Sequence, residues 1–211
     1  PPPPPPPLFF FTQKRDYEIL SGLGGSEMCI RDSAMTEEIR PRWLSVINFL
    51  LIKVAWVACV VGGTLSGALV IALMNARRCY QGRWPRERGF VVGQALLGLT
   101  LDSVWIHLGI LDFGSGTLQL GNLALAPLWI ILLWVAVGLS LFEALGFFVR
   151  RPVLGAVIVG AAAPLSYSTG SQFGAVVIPS TAMLMVIALV WVVVFGIVFE
   201  LARRAQQTAE L

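Results

Sequence analysis

TAMLMVIALVWVVVFGIVF (181–199) runs nineteen residues without one charged side chain. As a helix it rises roughly 28 Å, close to the ~30 Å hydrocarbon core of a bilayer. Arg203 and Arg204 close the run on one side, and Pro179 precedes it on the other. This stretch, Ser180–Leu201, reads as a membrane span.

The rest of the chain carries the same signal in weaker form. Of 211 residues 56% are hydrophobic and only 13% charged. Soluble domains carry about 25% charged residues, so a chain this poor in charge cannot coat a soluble globule. Working back from the last span, further apolar runs cover Trp43–Gly62, Gly63–Tyr80, Gly89–Phe113, Pro127–Val149 and Val153–Tyr167. The expected fold is all-α, a polytopic membrane bundle of about six transmembrane helices. Their spans lie near 43–62, 63–80, 89–112, 127–149, 153–168 and 180–201. In the fifth run, Pro164 is expected to kink or break the helix, with Ser168–Gly174 as a following loop.

Charge placement orients the bundle. From Met35 onward there are 12 Lys and Arg residues, and all but Lys53 fall in four places. These are Arg40/Arg42, Arg77–Arg88, Arg150/Arg151 and Arg203/Arg204. The segments near Gly62, Gly114–Asn122 and Ser168–Pro179 have none. Basic loops stay in the cytoplasm, so both ends are expected there, with the bundle in a bacterial inner membrane. Joining Trp43–Ala76 into one helix would give five spans, but it would put Arg40 and Arg42 opposite the five-arginine loop.

Residues 1–34 open on seven prolines and continue through SEMCIRDS (26–33). A proline run forms polyproline II and cannot join a helical bundle. No basic segment leads into an apolar one, as a signal peptide requires. This stretch is expected to be a non-native or disordered extension, with Met35 as the native start.

Chemistry-bearing motifs are scarce. One histidine and scattered carboxylates cannot close a zinc site. Cys29, Cys59 and Cys79 fit no metal or disulfide spacing. No phosphate loop or nucleophile elbow occurs, so no cofactor, metal or catalytic residue is assigned, and no nucleic acid is expected as partner. What remains is a set of polar groups within the spans, which are expensive in lipid and therefore informative. They are Lys53, Asp102, His107, Glu143, Pro164, Ser166 and Tyr167. Lys53 and Asp102 fall at similar depth with opposite charge, which predicts either an ion pair docking the first helix on the third or a polar site lining a cavity that opens outward. His107 follows Asp102 by five residues, so the two sit about 140° apart and form no dyad within the helix. Glu143 is expected inside the fourth helix. Ser166 and Tyr167 supply hydroxyls toward the outer side.

INFLLIKVAWVACVVGG (47–63), LDSVWIHLGIL (101–111), APLWIILLW (126–134) and above all GAAAPLSYSTGSQFGAV (160–176) resemble the bacterial inner-membrane proteins grouped as domain-of-unknown-function family 2878. The resemblance covers roughly 44–204. It implies a polytopic membrane protein without an assigned activity, and a lipid-linked accessory role. The family's first helix tends to carry a neutral polar residue where this chain has Lys53. Two functional classes follow: a non-enzymatic transporter-like or accessory bundle whose partners are the bilayer and another membrane protein, or a lipid-directed enzyme with Asp102 or His107 as acid or base.

Overall fold

The computed structural model describes residues 42–209. The N-terminal extension at 1–34 lies outside them. Seven α-helices run in the order α1 (Arg42–Val60), α2 (Gly63–Tyr80), α3 (Trp84–His107), α4 (Leu128–Ser140), α5 (Gly146–Val149), α6 (Pro152–Gln172) and α7 (Thr181–Ala209). Between α3 and α4 come a 3₁₀ turn (Gly114–Gly116) and a small antiparallel hairpin, β1 (Leu118–Leu120) and β2 (Leu123–Leu125). The sequence predicted only a polar loop there, because three-residue strands leave too short an alternation to read.

Among the described residues three helices are long and apolar enough to cross a membrane: Trp84–His107, Pro152–Gln172 and Thr181–Thr208. Val46–Val60 and Leu128–Ser140 are apolar but shorter. The outer faces are apolar as well: Leu65, Leu69 and Leu73 on α2, and Leu189, Val193 and Ile197 on α7, are all more than half exposed. Such faces belong against lipid rather than water.

Helices α1 and α2 are separate. The chain turns at Val61–Gly62, and Gly63 takes a φ of 72° that suits glycine. The joined helix over Trp43–Ala76 is therefore excluded. The pair then packs tightly, since a Cβ on Gly67 would stand 2.6 Å from Cys59 Sγ.

Two groups of helices result. In the first, α4 packs against α1, α2 and α3, around Ala55, Ile71, Val91, Ala136 and Leu139. In the second, α6 and α7 form a close hairpin. Gly160 lets them approach, for a Cβ there would meet Val192 Cγ2 at 2.3 Å and the Ala188 carbonyl at 2.9 Å. Small residues at such crossings let backbones touch in apolar surroundings. The two groups meet through a second core that includes Trp105, Trp134, Tyr167 and Phe195.

Two helices differ from expectation. Pro164 lies inside α6, which continues unbroken through Ser168 to Gln172. The close fit against α7 holds the helix together, so the donor that Pro164 lacks costs one bond rather than the helix. Helix α4 instead stops at Ser140, nine residues early, and Leu141–Leu145 form turns before α5. The cause lies in an arginine described below.

Candidate functional site

One side of α3 is buried along its whole length: Glu87, Val91, Gln94, Gly98, Asp102 and Trp105. Steps of three and four residues keep these on one helix face. The face carries a polar group at three depths, and Asp102 is the deepest, with 0% of its surface exposed.

Asp102 is held from two sides. Trp134 of α4 donates its Nε1–H to Oδ2 at 2.7 Å. Tyr167 of α6 donates its hydroxyl to Oδ1 at 2.8 Å. The carboxyl group thus joins three helices and both helix groups. Gly98, one turn before it, makes room: a Cβ there would overlap the Trp134 ring at 2.1 Å. The indole lies against bare backbone, which brings its N–H to Asp102.

An aromatic stack backs this centre. Trp134 lies 5.0 Å from Trp191, and Trp191 stacks on Phe195 at 5.1 Å with 12° between the planes. Tyr167 meets Trp191 edge-on at 6.1 Å. Such pairs add about 0.5–1.5 kcal/mol each beyond the area they bury. Trp105 and Trp191 bury their indole N–H groups without a partner among the described residues, as Gln94 does its Oε1.

A second cluster sits where α2 ends and α4 breaks. Arg78 Nη1 lies 3.0 Å from Glu143 Oε1 and 3.4 Å from Glu87 Oε2. Arg77 and Arg83 also reach Glu143, at 3.8 and 3.4 Å. Arg78 donates through Nε, at 3.0 Å, and through Nη2 to the carbonyl of Leu139. In a continuous helix that carbonyl would accept from the amide of Glu143. Here the Glu143 amide turns to Ser140 at 3.2 Å instead, and the guanidinium takes its place. This is why α4 ends early. Arg77 adds a bond to Asn48 Oδ1 of α1. A cleft of ≈ 10 Å³ between Asn48, Arg77, Arg78, Ser140 and Glu143 has room for about one water.

At the opposite end, Ser103 Oγ accepts the Ala126 amide at 3.0 Å and so anchors β2 over α3. Asp112 and Val177 pair through their backbones at 3.0 and 2.7 Å, tying the end of α3 to the segment after α6. Gly109 and Gly174, both with positive φ, end those helices and aim the chain into this pairing.

Of the residues singled out in the sequence, Asp102 and Tyr167 meet directly. Lys53 does not join them, and the expected ion pair is absent. Helix α1 packs through Asn48, Ala55 and Cys59, which leaves Lys53 on the exposed side with its ammonium 5.3 Å from the Phe49 ring. His107 is exposed at the end of α3 and bonds neither to Asp102 nor to Ser166. Ser166 accepts from Trp56 Nε1 of α1 at 2.9 Å, so it points away from its neighbour Tyr167. Glu143 belongs to the arginine cluster, and Pro164 to the interior of α6. Sequence reasoning missed Trp134, Gly98 and Arg78. The spacing of Gly98 with Asp102 was legible, but a tryptophan in an apolar run gives no sign of its bonding partner. Among the described residues no cluster of His, Cys, Asp or Glu could hold a metal ion.

Apolar helices, three of the described ones of membrane-crossing length, joined by a buried carboxyl–indole–phenol centre, define a helical membrane-protein architecture. The chain belongs to the family described as protein of unknown function (DUF2878), whose model matches residues 45–197. No curated protein and no solved structure matches it.

Proposed function

We propose that this protein is a non-enzymatic accessory bundle of a bacterial inner membrane, with six spans and both ends in the cytoplasm. Its buried polar groups hold helices in place, and its lipid-facing surface meets a partner. The observation that carries this reading is the closure of Asp102: a fully buried carboxyl group whose two oxygens each accept a bond from a neighbouring helix. A catalytic base needs a substrate proton within reach, and a transport site needs a path to both faces. Asp102 has no exposed surface to offer either one. The arginine cluster supports the same reading, since Arg78 and Glu143 bury each other and cap the break in α4.

The six-span arrangement draws its support from six helices of 13 residues or more and from the arginines that fall in alternate connections between them. The shorter α4 fits a membrane by local thinning or through the turns that extend it.

The test is Asp102→Asn in the chain without residues 1–34. Asparagine keeps the shape but turns an N–H₂ group toward one of the two donors, leaving it unpaired. We expect a loss of about 1–3 kcal/mol, and growth of a deletion strain under membrane stress should fall only as far as the folded protein falls. A variant as stable as the parent that fails to complement would make Asp102 a working group and overturn the accessory reading.

A further inference from the structure

Among the described residues, Lys53 is a cation inside an apolar helix with no acid beside it. It lies about 16 Å along α1 from Arg42 and about 10 Å from Val60, well inside the apolar run. Its ammonium leans back over Phe49, toward the more distant helix end. No carboxylate comes within ion-pair distance of it among the described residues. A lysine facing hydrocarbon at this depth is among the costliest residues a span can carry.

Its neighbours on that side have a pattern. Val46, Leu50 and Val57 are each more than half exposed, and with Lys53 they fall at steps of four, three and four. That is the spacing by which one helix packs along another, and a single polar residue in such a seam fixes register and partner.

We propose that this face of α1 docks a transmembrane helix of a second protein bearing an aspartate or glutamate at mid-depth. The proposal rests on the accessory reading above and names the chemistry of its partner. A second copy of this chain does not fit. Asp102 is buried and bonded, and Glu87 and Glu143 are engaged with Arg78. Glu200 pairs with Arg203 and Arg204, and Asp112 sits at the far end, accepting the Gly114 amide. Every described carboxylate is thus engaged away from Lys53, and the proposal places the acid on a partner.

The experiment uses the full chain in phosphatidylcholine vesicles, with a donor dye on the exposed Cys79 and Cys29 replaced by serine. The probe is a synthetic leucine–alanine transmembrane helix with one central aspartate and an acceptor dye; its control has leucine at that place. Energy transfer should show the aspartate helix binding about tenfold more tightly, equal to about 1.4 kcal/mol. Lys53→Met should abolish the preference and Lys53→Arg should keep it. Equal binding of the two helices, or a preference that survives Lys53→Met, overturns the proposal. So does loss of the preference in phosphatidylglycerol vesicles, which would assign the ammonium to lipid phosphate. The assay involves no Asp102 variant and no growth readout. Its failure leaves the accessory reading standing, and failure of that reading leaves the docking result intact.

Discussion

The ring of Trp134 occupies the space that a side chain at Gly98 would fill, with only 2.1 Å between the ring and the place of a Cβ. That fit sets the angle at which the indole N–H reaches Asp102 Oδ2. Gly98→Ala should therefore do two kinds of damage, overpacking worth about 1–3 kcal/mol and a weakened bond to a buried acceptor. Thermal unfolding in detergent should show a clear drop. Gly93→Ala is the matched control, because nothing lies within 4 Å of its Cβ position. Equal melting of the two variants would mean that Trp134 is free to move and does not set the geometry of the centre.

Tyr167 and Trp134 act on the same carboxyl group from different helices. Tyr167→Phe and Trp134→Phe each remove one donor and leave most of the ring. Each single change should cost about 1–3 kcal/mol, since it leaves one oxygen of a buried group unsatisfied. The double variant should depart from the sum of the two by about 0.5–3 kcal/mol, as members of one network do. Strict additivity in unfolding measurements would show that the two bonds are independent and that Asp102 does not join the helix groups.

How far the sequence could be read depends on what sets each feature. Helix positions follow from apolar runs, which are local, so each expected span holds a helix. Boundaries failed where a distant residue decides them. Helix α4 stops at Ser140 because Arg78, sixty-one positions from Leu139, claims its carbonyl. Helix α6 survives Pro164 because Gly160 closes on α7. Burial was readable in part: counting along the apolar runs singled out Asp102 and Tyr167, and both are buried. Facing was not: Lys53 was expected beside Asp102, yet its side of α1 follows from which face packs on α2 and α4. Partners within an apolar run, such as Trp134, depend on three-dimensional packing that spacing alone does not encode.

The arginine that ends α4 offers a sharper comparison. Arg78 combines a charge with a planar fork, bonding to the Leu139 carbonyl through Nε and Nη2 while Nη1 faces Glu143 and Glu87. Lysine keeps the charge but cannot reproduce the fork. Arg78→Lys should lose the carbonyl bonds and keep part of the ion pair, whereas Arg78→Gln should take away the nearest cation of buried Glu143, leaving Arg77 and Arg83 farther off at 3.8 and 3.4 Å, and cost up to about 3–5 kcal/mol. The order of stability should be parent, lysine, glutamine, read from unfolding midpoints. Lysine equal to parent would mean that the charge alone organises the break.

Topology can be tested with cysteines that the fold already exposes. Cys79 is exposed at the end of α2, and Ser115 is exposed in the turn between α3 and β1. They lie at opposite ends of the 24-residue α3 and its preceding turn, about 36 Å apart along that helix by rise. In the six-span arrangement, Cys79 faces the cytoplasm and Ser115 the opposite side. With Cys29 replaced by serine, a membrane-impermeant maleimide added to intact cells should leave Cys79 unlabelled and label Ser115→Cys. Opening the cells should expose Cys79 at once, while buried Cys59 stays silent until the protein is unfolded. Labelling of Cys79 in intact cells would reverse the orientation. Labelling of both positions from one side would mean that α3 does not cross the membrane, and the six-span reading would fail at its longest central helix.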